Sequence, residues 1–201
     1  LGFGTGHLSL YQLTIEPGTR FATMVAKGEF PAPDPDEGAT LFELTRDRTA
    51  AAGLPAYEVS NHARPGEESR HNLAYWRYDD YLGIGPGAHG RRGRLATLRH
   101  RKPENWLKAV AARGEGLHSE EPLAPRDRAA EALLMGLRLE EGVDLARIAA
   151  RTEAAENALV DARAVARLAE NGLVARDGSR LRVTAAGILL LDSILADIVA
   201  T

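Results

Sequence analysis

The chain has no cysteine. Its own side chains therefore cannot build a disulfide framework, a thiolate zinc site or a self-contained iron–sulfur site. It also lacks a long apolar run. No span reaches the roughly 20 residues of a transmembrane helix, and no secretory signal is visible. An excess of basic charge is missing as well: a net charge of -3 leaves no overall field drawing the chain to nucleic acid or anionic lipid. What remains is a globular composition, 44% hydrophobic and 26% charged over 201 residues, enough for one large or two small domains. A cytoplasmic setting is the plain expectation. An initiator methionine is absent too. Leu1-Gly-Phe-Gly-Thr-Gly6 runs straight into a strand-like stretch from His7 to Ile15, with nothing before it to act as a partner strand. The expectation is the C-terminal part of a longer protein.

Composition changes near residue 122. Before Glu121, glycine, proline and aromatic residues are frequent. After Pro122-Leu-Ala-Pro125 the chain becomes rich in Ala, Leu and Arg with helical periodicity. Two prolines three apart cannot both sit inside one helix, so two domains are expected, 1–121 and 122–201.

In the first region a strand is predicted over 7–15 and a loop after it. The proline-rich run Pro31–Pro35 comes next, then a helix over about 36–52 with Leu41, Leu44 and Ala51 on its apolar side and Gly53 at C′. A short strand over 57–60 follows. Strand, helix and strand at these lengths read as a βαβ unit, hence a parallel sheet with a right-handed crossover. Ligands of such sheets bind beyond the carboxyl ends of strands.

In the second region helices are predicted over about 126–139, 144–151 and 155–171. A hairpin is expected around Asp177-Gly178, and a last helix over 184–199 that Thr184 can cap. This is a winged-helix pattern. Arg163, Arg167, Arg176, Arg180 and Arg182 would suit a nucleic-acid module, but Glu156, Asp161 and Glu170 repel phosphate. Leu159, Ala162, Val165 and Leu168 make a packing stripe. Ile188, Leu191, Leu195 and Ile198 make a second one, suited to the domain's own core. Leu189, Leu190 and Ile194 widen that face, leaving a dimer seam as the alternative and the oligomeric state open.

Chemistry concentrates in one stretch. His71-Asn-Leu-Ala-Tyr-Trp76 is followed by Tyr81-Leu-Gly-Ile-Gly-Pro-Gly-Ala-His-Gly90. On a helical turn His71 and Tyr75 are neighbours, as are Asn72 and Trp76. An imidazole beside an aromatic wall could hold a planar ligand, and histidine is a common axial ligand of haem iron. The same residues also fit a buried Tyr–Trp pair with polar neighbours. Gly85-Pro-Gly-Ala88 suits a type II turn, with Gly87 at the position of positive φ. No Lys-Ser/Thr follows the glycines, so the run is not a phosphate-binding loop. Gln12, Thr14 and Glu16 alternate along the first predicted strand, lining either an exposed edge or a site. His62 is a possible second ligand. His7, His100 and His118 read as surface or structural. Asp79-Asp80 and Glu120-Glu121 read as solvated charges rather than an acid–base pair.

Together with His7–Thr19 and Tyr57-Glu-Val-Ser-Asn61, these motifs resemble the radical-SAM family of HemW haem chaperones, relatives of oxygen-independent coproporphyrinogen III oxidase. The resemblance covers nearly the whole chain, and Arg126–Ala200 resembles the family's winged-helix-like C-terminal domain. It implies an α/β fold: the C-terminal part of a partial (β/α)₆ barrel, followed by a small α+β winged-helix-like domain. It implies three cofactors, haem, S-adenosylmethionine and a [4Fe-4S] cluster. The family's cluster ligands form a CxxxCxxC motif near the N-terminus. This chain has none, which implies that the segment lies upstream or is lost and that the chain alone is not catalytic.

The resemblance further implies haem contact by His71, Asn72, Tyr75 and Trp76, with His71 as the metal ligand. It implies contact with S-adenosylmethionine by Gln12, Leu13, Gly87, Ala88 and His89. The His-Asn-x-x-Tyr-Trp wording favours a chaperone delivering haem to an acceptor protein over an oxidase of porphyrin biosynthesis. Any membrane association would then come only through the acceptor. Where some members carry Cys this chain has Ser69, which excludes a thiolate there.

Overall fold

The computed structural model describes residues 1–31 and 34–199; Ala32 and Pro33 of the proline-rich run lie outside the described residues. The chain forms two compact units, Leu1–Ser69 and Arg70–Thr201. The expected linker at 122–125 falls within the second unit.

The first unit holds a three-stranded sheet in the order β1-β3-β2, with β1 at His7–Ser9, β2 at Ala56–Glu58 and β3 at Asn61–Ala63. Both outer strands pair antiparallel with β3. The predicted parallel sheet is therefore corrected: β1 and β2 run the same way, but β3 is inserted between them by a tight hairpin, and every pairing in this sheet is antiparallel. The predicted strand over 7–15 also shortens. Ladder pairing ends with Leu10, whose N–H donates to Ser60 O at 2.8 Å, because β3 offers no further partners. Beyond it Gln12 uses its side chain instead, donating to Gly38 O at 2.6 Å.

Helix α1 (Arg20–Ala26), capped by Thr19, occupies the predicted loop. Helix α2 (Pro35–Ala51) starts one residue early because Asp34 accepts from the N–H groups of Asp36 and Glu37. It ends as expected before Gly53, at φ +78°. Its inward side is not the predicted one. Leu41 and Leu44 are exposed, while Thr49 is buried and sits 2.9 Å from His62 Nδ1. The helix packs a polar seam onto a polar strand.

The second unit begins with α3 (Arg70–Trp76). A three-stranded antiparallel sheet follows, with β4 at His89–Arg92, β5 at Leu95–Arg99 and β6 at Leu117–Pro122 in the order β4-β5-β6. Helix α4 (Pro103–Arg113) connects β5 to β6 and stops at Gly114, φ +79°. The remainder is the predicted winged-helix pattern. Helices α5 (Pro125–Gly136), α6 (Leu145–Thr152) and α7 (Ala162–Glu170) precede a hairpin of β8 (Val174–Asp177) and β9 (Arg180–Val183), and a two-residue strand, β7 (Val143–Asp144), pairs with β9.

The predicted helix over 155–171 splits. Asp161 accepts from the N–H groups of Arg163 and Ala164, at 2.8 and 3.0 Å, and so starts α7 afresh. Ala162 is consequently exposed, and Ala164 joins Val165 and Leu168 in the core. The last helix, α8 (Leu191–Ile198), is shorter than predicted. Thr184 caps only a turn, accepting from Gly187 N and donating to Gly172 O. Leu191, Leu195 and Ile198 are buried in the domain core as expected and Ile188 is half-buried; Ile194, expected on the widened face, is buried with them, whereas Leu189 and Leu190 stay exposed. Among the described residues no helix is long and apolar enough to cross a membrane.

Candidate functional site

Helix α3 is short, but it places His71 and Tyr75 in edge contact, with ring centroids 4.8 Å apart and planes at 70°. Tyr75 meets Tyr81 at 4.3 Å, and Tyr81 meets His89 at 5.6 Å. The Tyr81 hydroxyl lies 2.8 Å from His89 Nδ1. The two halves of the motif thus build one aromatic array, open to solvent at His71 and His89, with Tyr75 and Tyr81 half-buried between them. Burial pushes the Tyr81 phenol above its ordinary value. Trp76 turns to other neighbours: the Arg138 guanidinium lies 4.9 Å over its ring. The Tyr–Trp motif is therefore part array and part packing.

The glycine run packs closely against its own chain. The predicted type II turn is present: Ala88 N donates to Gly85 O, and Gly87 has φ +73°. Tyr81 pairs with Arg91 through two backbone bonds of 2.7 and 3.0 Å, so residues 81–83 lie along the edge of β4. A Cβ on Gly83 would stand 2.4 Å from His89 O, and one on Gly90 would stand 2.9 Å from Tyr81 O. These glycines let two stretches of this chain approach each other. Gly87 N donates to His100 O and Arg99 N donates to Ala88 O, so the protein itself uses these backbone groups. His89 belongs to the aromatic array. Gln12 and Leu13 belong to the first unit, where Gln12 is committed to Gly38.

Between the motif halves stand four residues that the sequence reading left as solvated or unassigned, and each is tied down. Arg77 forks onto Glu141 at 2.9 and 3.0 Å. Tyr78 adopts φ +56°, a left-handed conformation costing roughly 1 kcal/mol, and donates to Glu131 Oε2 at 2.5 Å. Asp79 and Asp80 both pair with Arg151, at 3.0 and 3.4 Å. Arg91 on β4 completes the centre, donating to both carboxylate oxygens of Glu131 on α5 at 2.8 and 2.9 Å. Burial pushes the Glu131 carboxyl up, but the Arg91 and Tyr78 hydrogen bonds outweigh it and hold the group below its ordinary range. Burial and the bond to Glu131 push the Tyr78 phenol up. The signals that could have found this clamp are an Arg, a Tyr and two Asp crowded into 77–80, but nothing in the order of residues names partners 40 to 72 positions away.

The remaining histidines have structural neighbours. His62 is fully buried, and burial and then Arg46 lower its pKa. It packs within the first unit's core rather than offering itself as a second ligand. His7 lies 2.9 Å from the Tyr57 hydroxyl, and His100 and His118 stack at 4.9 Å.

The HemN C-terminal domain family matches residues 123–190. Across 96% of its length the chain is 39% identical to the heme chaperone HemW of Mycobacterium tuberculosis, covering 47% of that protein. The chain belongs to the HemN/HemW family. It corresponds to that family's C-terminal portion. It is also 37% identical to the bovine mitochondrial radical S-adenosyl methionine domain-containing protein 1, over 96% of this chain and 46% of the relative. Over 76% of its length it is 38% identical to Escherichia coli HemW. The chain spans about half the length of the curated relatives it matches. Among solved structures it is similar to the E. coli coproporphyrinogen III oxidase HemN, described as a radical SAM enzyme. The TM-score is 0.70 at 20% identity, over 97% of this chain and 48% of that one. This likeness establishes the fold, the C-terminal part of the radical-SAM architecture.

The residues of this HemN/HemW chain fit the family's cofactors unequally. An exposed imidazole braced by a tyrosine edge fits an axial haem ligand. With no cysteine, the chain offers nothing to ligate a [4Fe-4S] cluster. The groups expected at S-adenosylmethionine are largely spent on internal hydrogen bonds.

Proposed function

We propose that this chain is the haem-holding portion of a cytoplasmic haem chaperone, which binds haem through His71 and passes it to an acceptor protein. The observation carrying this reading is the continuous array His71–Tyr75–Tyr81–His89, which ends on an exposed imidazole. The Tyr75 edge restricts rotation of the His71 ring, so a ring nitrogen can be presented to iron in one orientation. Leu82 and Ile84, 67% and 88% exposed, follow Tyr81 and offer apolar surface for a porphyrin face. Relatives named heme chaperones support the same reading. In the longer protein the cluster and S-adenosylmethionine would be held largely by residues outside this chain. Their contribution would be one-electron chemistry, to which none of the side chains described above adds a ligand.

Haem titration of the chain, followed through the Soret band, tests the proposal. Wild type is expected to bind and His71→Ala to lose both the band shift and most of the affinity. An unchanged band and affinity in the variant would remove His71 as ligand. Formation of protoporphyrinogen by the longer protein, reconstituted with iron and sulfide, would favour the oxidase reading instead.

A further inference from the structure

We infer that Glu131, on the first helix of the C-terminal domain, is a positioning residue that sets the orientation of the His71 imidazole at the end of the aromatic array through Arg91 and Tyr78. The functional half of this inference rests on the haem-binding proposal; its structural half does not.

The path is short and continuous. Glu131 receives both forks of Arg91 and the Tyr78 hydroxyl. Arg91 is joined to Tyr81 by a reciprocal pair of backbone hydrogen bonds. Tyr81 lies against Tyr75, and Tyr75 against His71. Each link has a defined geometry. A forked guanidinium–carboxylate pair fixes angle as well as distance, and a two-bond bridge fixes register. Tyr78 would relax from its left-handed conformation if its hydroxyl were released, and that relaxation would turn the segment leading from α3 to Tyr81. Among the described residues the hydrogen bonds of Glu131 go to Arg91 and Tyr78 rather than to His71 or Tyr75. Its role is to hold the strand edge on which Tyr81 stands. The C-terminal domain thereby acts on a site built entirely from residues that precede it.

The test uses the whole chain and two readouts. In the haem-free protein, NMR follows the ring resonances of His71 and Tyr75, whose edge contact makes them sensitive to each other's position. Haem affinity is then measured by titration. Glu131→Gln keeps shape and removes the charge; Tyr78→Phe removes a single hydroxyl and preserves the fold. Both variants are expected to move the His71 and Tyr75 ring resonances while leaving those of the β8–β9 hairpin in place. Glu131→Gln should weaken haem binding about tenfold, the loss expected from one charge-assisted hydrogen bond. Adding Arg91→Gln to Glu131→Gln should weaken it little further, since the two act through one link. Ring resonances that stay in place overturn the inference. So does equal movement of the hairpin resonances, which would mean general loosening, and so does an unchanged affinity in a wild type that binds haem. If wild type binds no haem, the proposed function fails, and the ring resonances alone decide the positioning.

Discussion

Replacing Gly83 by Ala tests the packing logic of the motif most directly. The new Cβ would stand 2.4 Å from His89 O and 2.7 Å from His89 C, both backbone atoms that cannot swing aside. Ordinary contact begins near 3.4 Å, so the 81–83 segment must back away from β4 by about 1 Å. Overpacking of this kind costs about 1–3 kcal/mol. The retreat also stretches the Tyr81–Arg91 pair and the bond from Arg99 Nε to Gly83 O, at 3.0 Å, each worth about 1 kcal/mol. With these bonds stretched rather than broken, a total near 3 kcal/mol corresponds to a fall in Tm of about 9 °C for a chain of this size. Circular dichroism melting measures it, and haem titration of the same variant should show weakened binding because Tyr81 moves with the segment. A variant within about 0.5 kcal/mol of wild type with normal haem binding would refute the argument that Gly83 is there for close approach.

Two further outcomes follow from buried groups in each unit. His62 is buried with its pKa held below the ordinary value of 6.5, so the unfolded chain binds the extra proton first. Stability should be complete above about pH 6.5, fall as pH drops from there toward the lowered folded value, and then level off. His62→Asn should remove that slope in urea melts, and a slope unchanged by the substitution would contradict it. In the second unit Arg128 is buried and donates to the Arg151 and Thr152 carbonyls at the end of α6, at 2.6 and 3.3 Å. Arg128→Met should cost about 2 kcal/mol by leaving those carbonyls without donors, read as a lower denaturation midpoint; a neutral result would show that water replaces the guanidinium.

Much of the second unit was legible because its stripes are regular. Leu191, Leu195 and Ile198 recur at helical spacing and are buried as that spacing requires. Gly178 marks the hairpin because its φ of +57° suits the first position of a two-residue loop. The first unit misled for a physical reason. Three-residue strands leave too little alternation to show which neighbour they pair with, and α2 turns Thr49 inward where Leu41 was expected. The sheet of β4 to β6 was overlooked, since Arg91-Arg-Gly-Arg-Leu95 lacks an apolar alternation, although Gly93 was a turn signal. At the site, local spacing disclosed the His71–Tyr75 contact. The partnership with His89 depends on a chain reversal, and that with Glu131 on a helix 40 residues beyond Arg91; neither leaves a periodic trace.

The four residues between the motif halves also bear on modularity. Arg77 to Asp80 spend their charges and hydroxyl on Glu131, Glu141 and Arg151, all downstream of Pro122. A segment of 70–121 grafted onto another scaffold would carry every aromatic ring of the array and none of these anchors. It would also leave the left-handed turn at Tyr78 unsupported. The His-Asn-x-x-Tyr-Trp signature is thus not a transplantable cassette. The smallest portable piece must include α5 and α6, and an insertion anywhere in 77–80 would break the match between loop length and anchor spacing.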